Sequence, residues 1–186
     1  LIVNTATEST APTATRANTD VSVNTALLIL RLGVGAAMLQ AGLRKALDFP
    51  TTAGYMEAGG WRLPELAAFM VTASETLGGI ALILGVLTQL AAFAVVAAMI
   101  DAWAVNVSGG AFWSDPFNAP FMIALGAVAL LFAGAGAYSL DAKLSGRTVW
   151  PVRIAAGLLV AAFVVAIVTW IALNGTNPIH LTTPTG

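Results

Sequence analysis

Three ionisable side chains lie deep inside apolar stretches of this 186-residue chain: Arg31, Glu75 and Asp101. A charge near the centre of a membrane helix costs roughly 2.5–3.5 kcal/mol on insertion scales, so residues of this kind are functional candidates and are expected to face protein rather than lipid. Two more polar residues, Lys45 and Asn118, stand near the ends of apolar stretches, where they are interface-side candidates. Two kinds of chemistry are open to the set. In one, Arg31 and Glu75 form a buried structural ion pair, and Asp101 is protonated or hydrogen-bonded. In the other, two acids and one base make a proton-handling cluster beside a quinone headgroup.

Composition removes several alternatives. The chain has no cysteine, which excludes thiolate zinc sites, iron–sulfur ligation and Cys nucleophiles. Its single histidine, His180, lies in a Pro/Thr-rich stretch near the C-terminus, so paired histidines for haem are absent. No metal and no cofactor held covalently or by Cys or His is expected, and in the second reading the cluster would serve a quinone. A net charge of -1 with eight Lys plus Arg offers no basic patch for nucleic acid. At 58% hydrophobic and 9% charged, the solvent for most of the surface is lipid.

The elements that must position the polar residues are five apolar runs: Ala26–Leu47, Leu66–Leu87, Leu90–Val107, Phe117–Ala137 and Ile154–Leu173. Each is about long enough to span a bilayer core. The second and third are separated only by Thr88 and Gln89, which predicts a tight antiparallel hairpin. Helical spacing puts Arg31, Gly35, Met38, Gly42 and Lys45 on one stripe. Glu75 shares a stripe with Ala68, Gly78, Gly79 and Gly85, and Asp101 with Ala94, Ala97, Ala98, Ala104 and Ser108. Small residues let helix backbones approach closely, so all three stripes read as interhelical faces. Counted from the edges of the runs at ~1.5 Å per residue, Arg31 lies about 10 Å deep, Glu75 about 15–18 Å and Asp101 about 18 Å. These depths predict an Arg31–Glu75 pair.

The linker from Asp48 to Glu65 is long enough for a short interfacial helix before Pro64 opens the next span. Trp61, Phe112 and Trp113 suit the membrane–water boundary and are expected to anchor there. Arg16, Lys143, Arg147 and Arg153 fall on one side of the membrane, and Arg44, Lys45 and Arg62 on the other, a small excess that favours a cytoplasmic N-terminus. Residues 1–24 lack the charged-then-apolar order of a signal peptide and read as a disordered tail.

The run "LLILRLGVGAAMLQAGLRKAL", with Arg31 and Gly42 to Lys45, resembles the opening of the DoxX-like membrane proteins. The segment "ETLGGIALILGVLTQLAA", with Glu75, Gly78, Gly79, Gly85 and Thr88, is similar to their second-helix signature. "GAGAYSLDAKL" resembles the motif that closes their fourth helix, here Gly134, Gly136, Ser139, Leu140 and Asp141. Asn118 stands where the family often has an acid, and Gln89 where it often has Arg.

The resemblance implies an all-α, polytopic membrane protein, with a four-helix transmembrane bundle over residues 25–145. A fifth transmembrane helix follows over 146–174 and a tail over 175–186. It implies a bacterial plasma-membrane subunit of a quinone-linked redox or oxidative-defence complex, acting as an anchor or contributing to a quinone site. Relatives include membrane subunits of a thiosulfate:quinone oxidoreductase and proteins associated with superoxide dismutase and a thiosulfate sulfurtransferase. The alternatives are a non-catalytic accessory subunit of a respiratory assembly and a small-solute transporter. Without a visible internal repeat, an inverted-repeat transporter is the less favoured of these. Expected partners are membrane lipid and other subunits of such a complex. The fifth span, apolar all round, is expected to be peripheral to the bundle and to contact a partner.

Overall fold

The computed structural model describes residues 11–183, and the described residues form helices, turns and irregular segments without strands. In chain order the α-helices are α1 (Ala11–Leu47), α2 (Phe49–Ala58), α3 (Pro64–Leu84), α4 (Thr88–Ser108), α5 (Ala119–Ala133), α6 (Leu140–Ser145) and α7 (Val152–Leu173), with a 3-10 turn at Phe112–Ser114. Four of them, α1, α3, α4 and α7, are long and apolar enough to cross a membrane. The all-helical polytopic membrane class expected from the runs is the class observed.

The element boundaries differ from the expectation at three places. α1 extends back to Ala11, through residues 11–24 that the composition assigned to a disordered tail. A helix already held in the bundle propagates at one hydrogen bond per residue, and it needs no apolar face to do so. Residues 1–10 and 184–186 lie outside the described residues. The hairpin between the second and third runs turns at Gly85–Leu87, whereas Thr88 and Gln89 are buried in the first turn of α4. The fourth run yields only the 15 residues of α5. At ~1.5 Å per residue this is about 22 Å, short of the roughly 30 Å hydrocarbon core. Asn118 caps its start, accepting from the Phe121 N–H at 3.3 Å, and Gly134 leaves helical geometry at its end with φ 77°.

The bundle is held most extensively along α1 and α3, which run antiparallel, and along α4 and α5. Between α1 and α3 the glycines of the two stripes meet backbone to backbone. A Cβ on Gly79 would come within 2.6 Å of the Leu39 nitrogen and 2.8 Å of the Gly35 oxygen, and one on Gly42 within 2.6 Å of the Thr76 nitrogen. In lipid no hydrophobic force drives helices together, so this close van der Waals approach is what joins them. The apolar core sits between α1, α3, α4, α5 and α7 and includes the fully buried Met38, Leu82, Val95, Leu130, Ala155 and Ala162.

α7 lies against α4 and, less extensively, α5. Its buried residues Ala155, Ala162, Ala166 and Trp170 form one narrow face, while Val160, Phe163, Val164, Ile167, Val168 and Ile171 are exposed on the remainder. Its C-terminal end is tied across the bundle: the Arg62 N–H donates to the Leu173 carbonyl at 2.6 Å, the Arg62 guanidinium to the Ala172 carbonyl at 3.0 Å, and the Asn174 amide to the Gly59 carbonyl at 2.9 Å. Trp61, expected as a boundary anchor, is instead buried and meets Trp170 edge to face, with ring centroids 5.6 Å apart. Trp113 remains 72% exposed, as an interfacial residue would be.

The glycine contact makes a direct prediction. Gly79→Ala should force α1 and α3 apart and lower stability by about 1–3 kcal/mol, seen as an earlier midpoint of thermal unfolding in detergent. Gly33→Ala, on the same helix as Gly35 but with open space around its would-be Cβ, should leave the midpoint unchanged or slightly raised.

Candidate functional site

The polar residues divide between the two ends of the bundle. At the end where α3 turns into α4, Arg31 is 1% exposed and donates to the Tyr138 carbonyl at 2.6 Å. Its guanidinium fills the space beside Gly85, which has φ 66°; a Cβ there would overlap the Arg31 side chain. Asp141 accepts from the backbone N–H of Leu87 at 2.8 Å and of Thr88 at 3.0 Å, capping the start of α4 with a carboxylate. The Asp141 N–H donates in turn to the Gly85 carbonyl at 2.8 Å. Ser139 caps α6 by accepting from the Ala142 N–H, and Asn24 accepts from the Ala137 N–H at 2.7 Å. Gln89 donates to the Leu131 carbonyl and accepts from the Trp150 N–H, both at 2.7 Å, joining α4, α5 and the segment before α7. The motif residues Gly85, Thr88, Ser139 and Asp141 thus meet in one polar latch that satisfies chain ends and turns.

At the other end, Lys45 donates to Glu75 at 2.6 Å. The Glu75 side chain is 3% exposed and that of Lys45 30%. The expected Arg31–Glu75 pair is therefore not formed, and the reason lies in packing register. Gly42 lies against Glu75 and Thr76, whereas Arg31 lies against Gly85. Ten residues of α3 separate the two levels, about 15 Å along the helix, more than an Arg side chain spans. Side chains on a helix also lean toward its N-terminus. That lean carries Arg31 away from Glu75 and carries Lys45 toward it.

The Lys45–Glu75 pair opens onto a cavity of about 560 Å³. α1 contributes Met38 and Lys45 to its wall, α3 contributes Met70 and Glu75, and α4 contributes Phe93, Ala97, Asp101 and Asn106. Trp61, Pro120 and Ile123 close other sides, and α7 supplies Val165 and Thr169. Asp101 is half-buried and, among the described residues, makes neither a hydrogen bond nor an ion pair. Asn118 does not line this cavity; it donates to the Asp115 carbonyl at 3.2 Å and serves α5 as its cap. Of the five residues singled out from the sequence, Lys45, Glu75 and Asp101 converge on one site, while Arg31 and Asn118 hold structure. The other polar lining residues, Ser74, Asn106 and Thr169, carried no sequence signal beyond being polar within an apolar run. Among the described residues no group of three or more His, Asp or Glu side chains could hold a metal ion.

An all-helical polytopic bundle with a largely apolar cavity between its helices, carrying a few polar groups, defines the class of membrane protein. The DoxX family model matches residues 26–107, which run from the apolar part of α1 to the end of α4, and over them the chain is similar to DoxX proteins. The match includes Lys45, Glu75 and Asp101 and ends before α5, α6 and α7. No curated protein and no solved structure matches the chain.

Register makes the pairing testable. Lys45→Met leaves Glu75 with an unanswered carboxylate in a low-dielectric site, so it should destabilise more than the double variant Lys45→Met/Glu75→Gln. Thermal unfolding in detergent should give a coupling of about 1–3 kcal/mol for this pair. Arg31→Leu and Glu75→Gln should add to within about 0.5 kcal/mol; a large Arg31–Glu75 coupling would contradict the observed arrangement.

Proposed function

We propose that this DoxX-like protein is a membrane subunit of a quinone-linked redox complex and that its internal cavity receives the quinone ring. The observation that carries this reading is the cavity itself. Its volume of about 560 Å³ falls within the range of small-molecule sites. Apolar side chains, alanine and methionine foremost, make most of its wall, with Trp61 and Phe93 as its aromatic members, and most of its few polar groups are gathered on α1, α3 and α4. A flat apolar ring with polar oxygens at its edge matches that distribution. The site lies among membrane-crossing helices, where a lipid-soluble ligand resides.

The chain has no cysteine and one histidine, so in this reading the electrons pass through a redox centre carried by a partner subunit. The protein's own part is to bind and orient the ring, and Lys45, held by Glu75, has ammonium protons left to donate to a ring oxygen. α1, at 37 residues, is about 55 Å long, well beyond the roughly 30 Å hydrocarbon core. Its N-terminal part offers such a partner a surface outside the membrane. The basic residues Arg16, Lys143, Arg147 and Arg153 on that side favour the cytoplasm of a bacterial cell for it.

Titration calorimetry of the detergent-solubilised protein with tetramethyl-1,4-benzoquinone tests the reading. Saturable binding is expected in the wild type and at least a tenfold loss of affinity in Ala97→Phe, which fills the cavity from the α4 wall. Heat that does not saturate, or that Ala97→Phe leaves unchanged, would mean the ring only partitions into detergent and would overturn the proposal.

A further inference from the structure

We propose that Asp101 accepts a hydrogen bond from a ring hydroxyl, so that the cavity selects the reduced, dihydroxy form of the ring over the oxidised, dicarbonyl form. This rests on the quinone-site reading above and names which form of the ligand the site is built for.

Donors and acceptors on the cavity wall are out of balance. The charged groups on the cavity wall are Lys45, Glu75 and Asp101, a formal excess of one negative charge. Lys45 already directs one N–H to Glu75 at 2.6 Å. Asp101 has no protein partner among the described residues, although α4 carries it into the bundle on the same stripe as the cavity-lining Ala94, Ala97 and Ala98. In its ionised form the Asp101 carboxylate accepts strong hydrogen bonds and offers none. An oxidised ring presents only carbonyl oxygens, which accept as well, so it leaves Asp101 unanswered and sets oxygen lone pairs against it. A reduced ring presents two O–H donors. One can be given to Asp101, while the oxygen at the opposite edge accepts from Lys45.

Its neighbours support the assignment by being otherwise engaged. Glu75 is held by Lys45, the Arg31 guanidinium is turned to the far end of the bundle, and Asp141 is committed to the start of α4. Asp101 is the carboxylate on the cavity wall left free to meet a ligand. Ala98 and Ala102 on its own helix, both lining the cavity, leave room beside it.

Calorimetry under argon with tetramethyl-1,4-hydroquinone and tetramethyl-1,4-benzoquinone tests the inference. At a pH alkaline enough to keep Asp101 ionised, the wild type should bind the hydroquinone on the order of 10-fold more tightly, the usual scale for a hydrogen bond to a charged acceptor. Asp101→Asn, nearly isosteric and able to donate from its amide, should bring the ratio of the two affinities close to one while retaining quinone binding. Equal affinities in the wild type, or a preference that Asp101→Asn leaves intact, would overturn the inference while the quinone site stands. Binding of neither form would overturn both. The wild-type ratio is decisive even if Asp101→Asn does not fold.

Discussion

A polar group carried into the hydrocarbon must find its partners in protein or in a ligand that the protein holds, because lipid offers no hydrogen bonds. α1 imposes this demand twice, with Arg31 toward one end and Lys45 toward the other. The two cations are fourteen residues apart and too distant to share a partner. The latch around Gly85, Tyr138 and Asp141 forms at the Arg31 end, and the Glu75 pair at the Lys45 end. Between them the helix can be small and smooth, and there its glycines meet α3.

This division separates architecture from chemistry within a short chain. The latch spends its polar groups on backbone: carboxylate and hydroxyl caps, a turn with positive φ at Gly85 and Leu87, and an amide bridge from Gln89. The Arg31 Nε and Nη1 and the Thr88 hydroxyl stay buried there beyond the bonds that the latch makes. At the opposite end one acid and one base are paired, a second acid is unpaired, and apolar walls leave a space between helices. The family match reaches the residues of this cavity on α1, α3 and α4, whereas α5 and α7 complete its wall from outside the matched segment.

α7 has a double character. One narrow alanine face joins it to α4, and the rest of its surface is apolar and exposed, in keeping with a peripheral position. Yet Val165 and Thr169 belong to the cavity wall, and the Trp61–Trp170 contact with the Arg62 and Asn174 hydrogen bonds fastens its end to the linker that precedes α3. A helix that looked like an addition in the sequence is structurally part of the site.

Composition and periodicity by themselves determined the membrane class, the hairpin of α3 and α4, the short linker helix α2 and the inward stripes of Glu75 and Asp101, because each depends on residues close in sequence. The short length of α5 is legible only in part, in Asn118 and Gly134, because apolar residues continue past both. What only the tertiary structure decided was who meets whom. The Arg31–Glu75 pair failed because depth was measured from the edges of apolar runs, which mark where hydrophobicity begins and not how two helices slide past each other. That slide is set where Gly35, Gly42 and Gly79 let backbones touch. A shift of three turns along α3, invisible in either helix alone, hands Glu75 to Lys45 and leaves Asp101 facing the cavity without a protein partner.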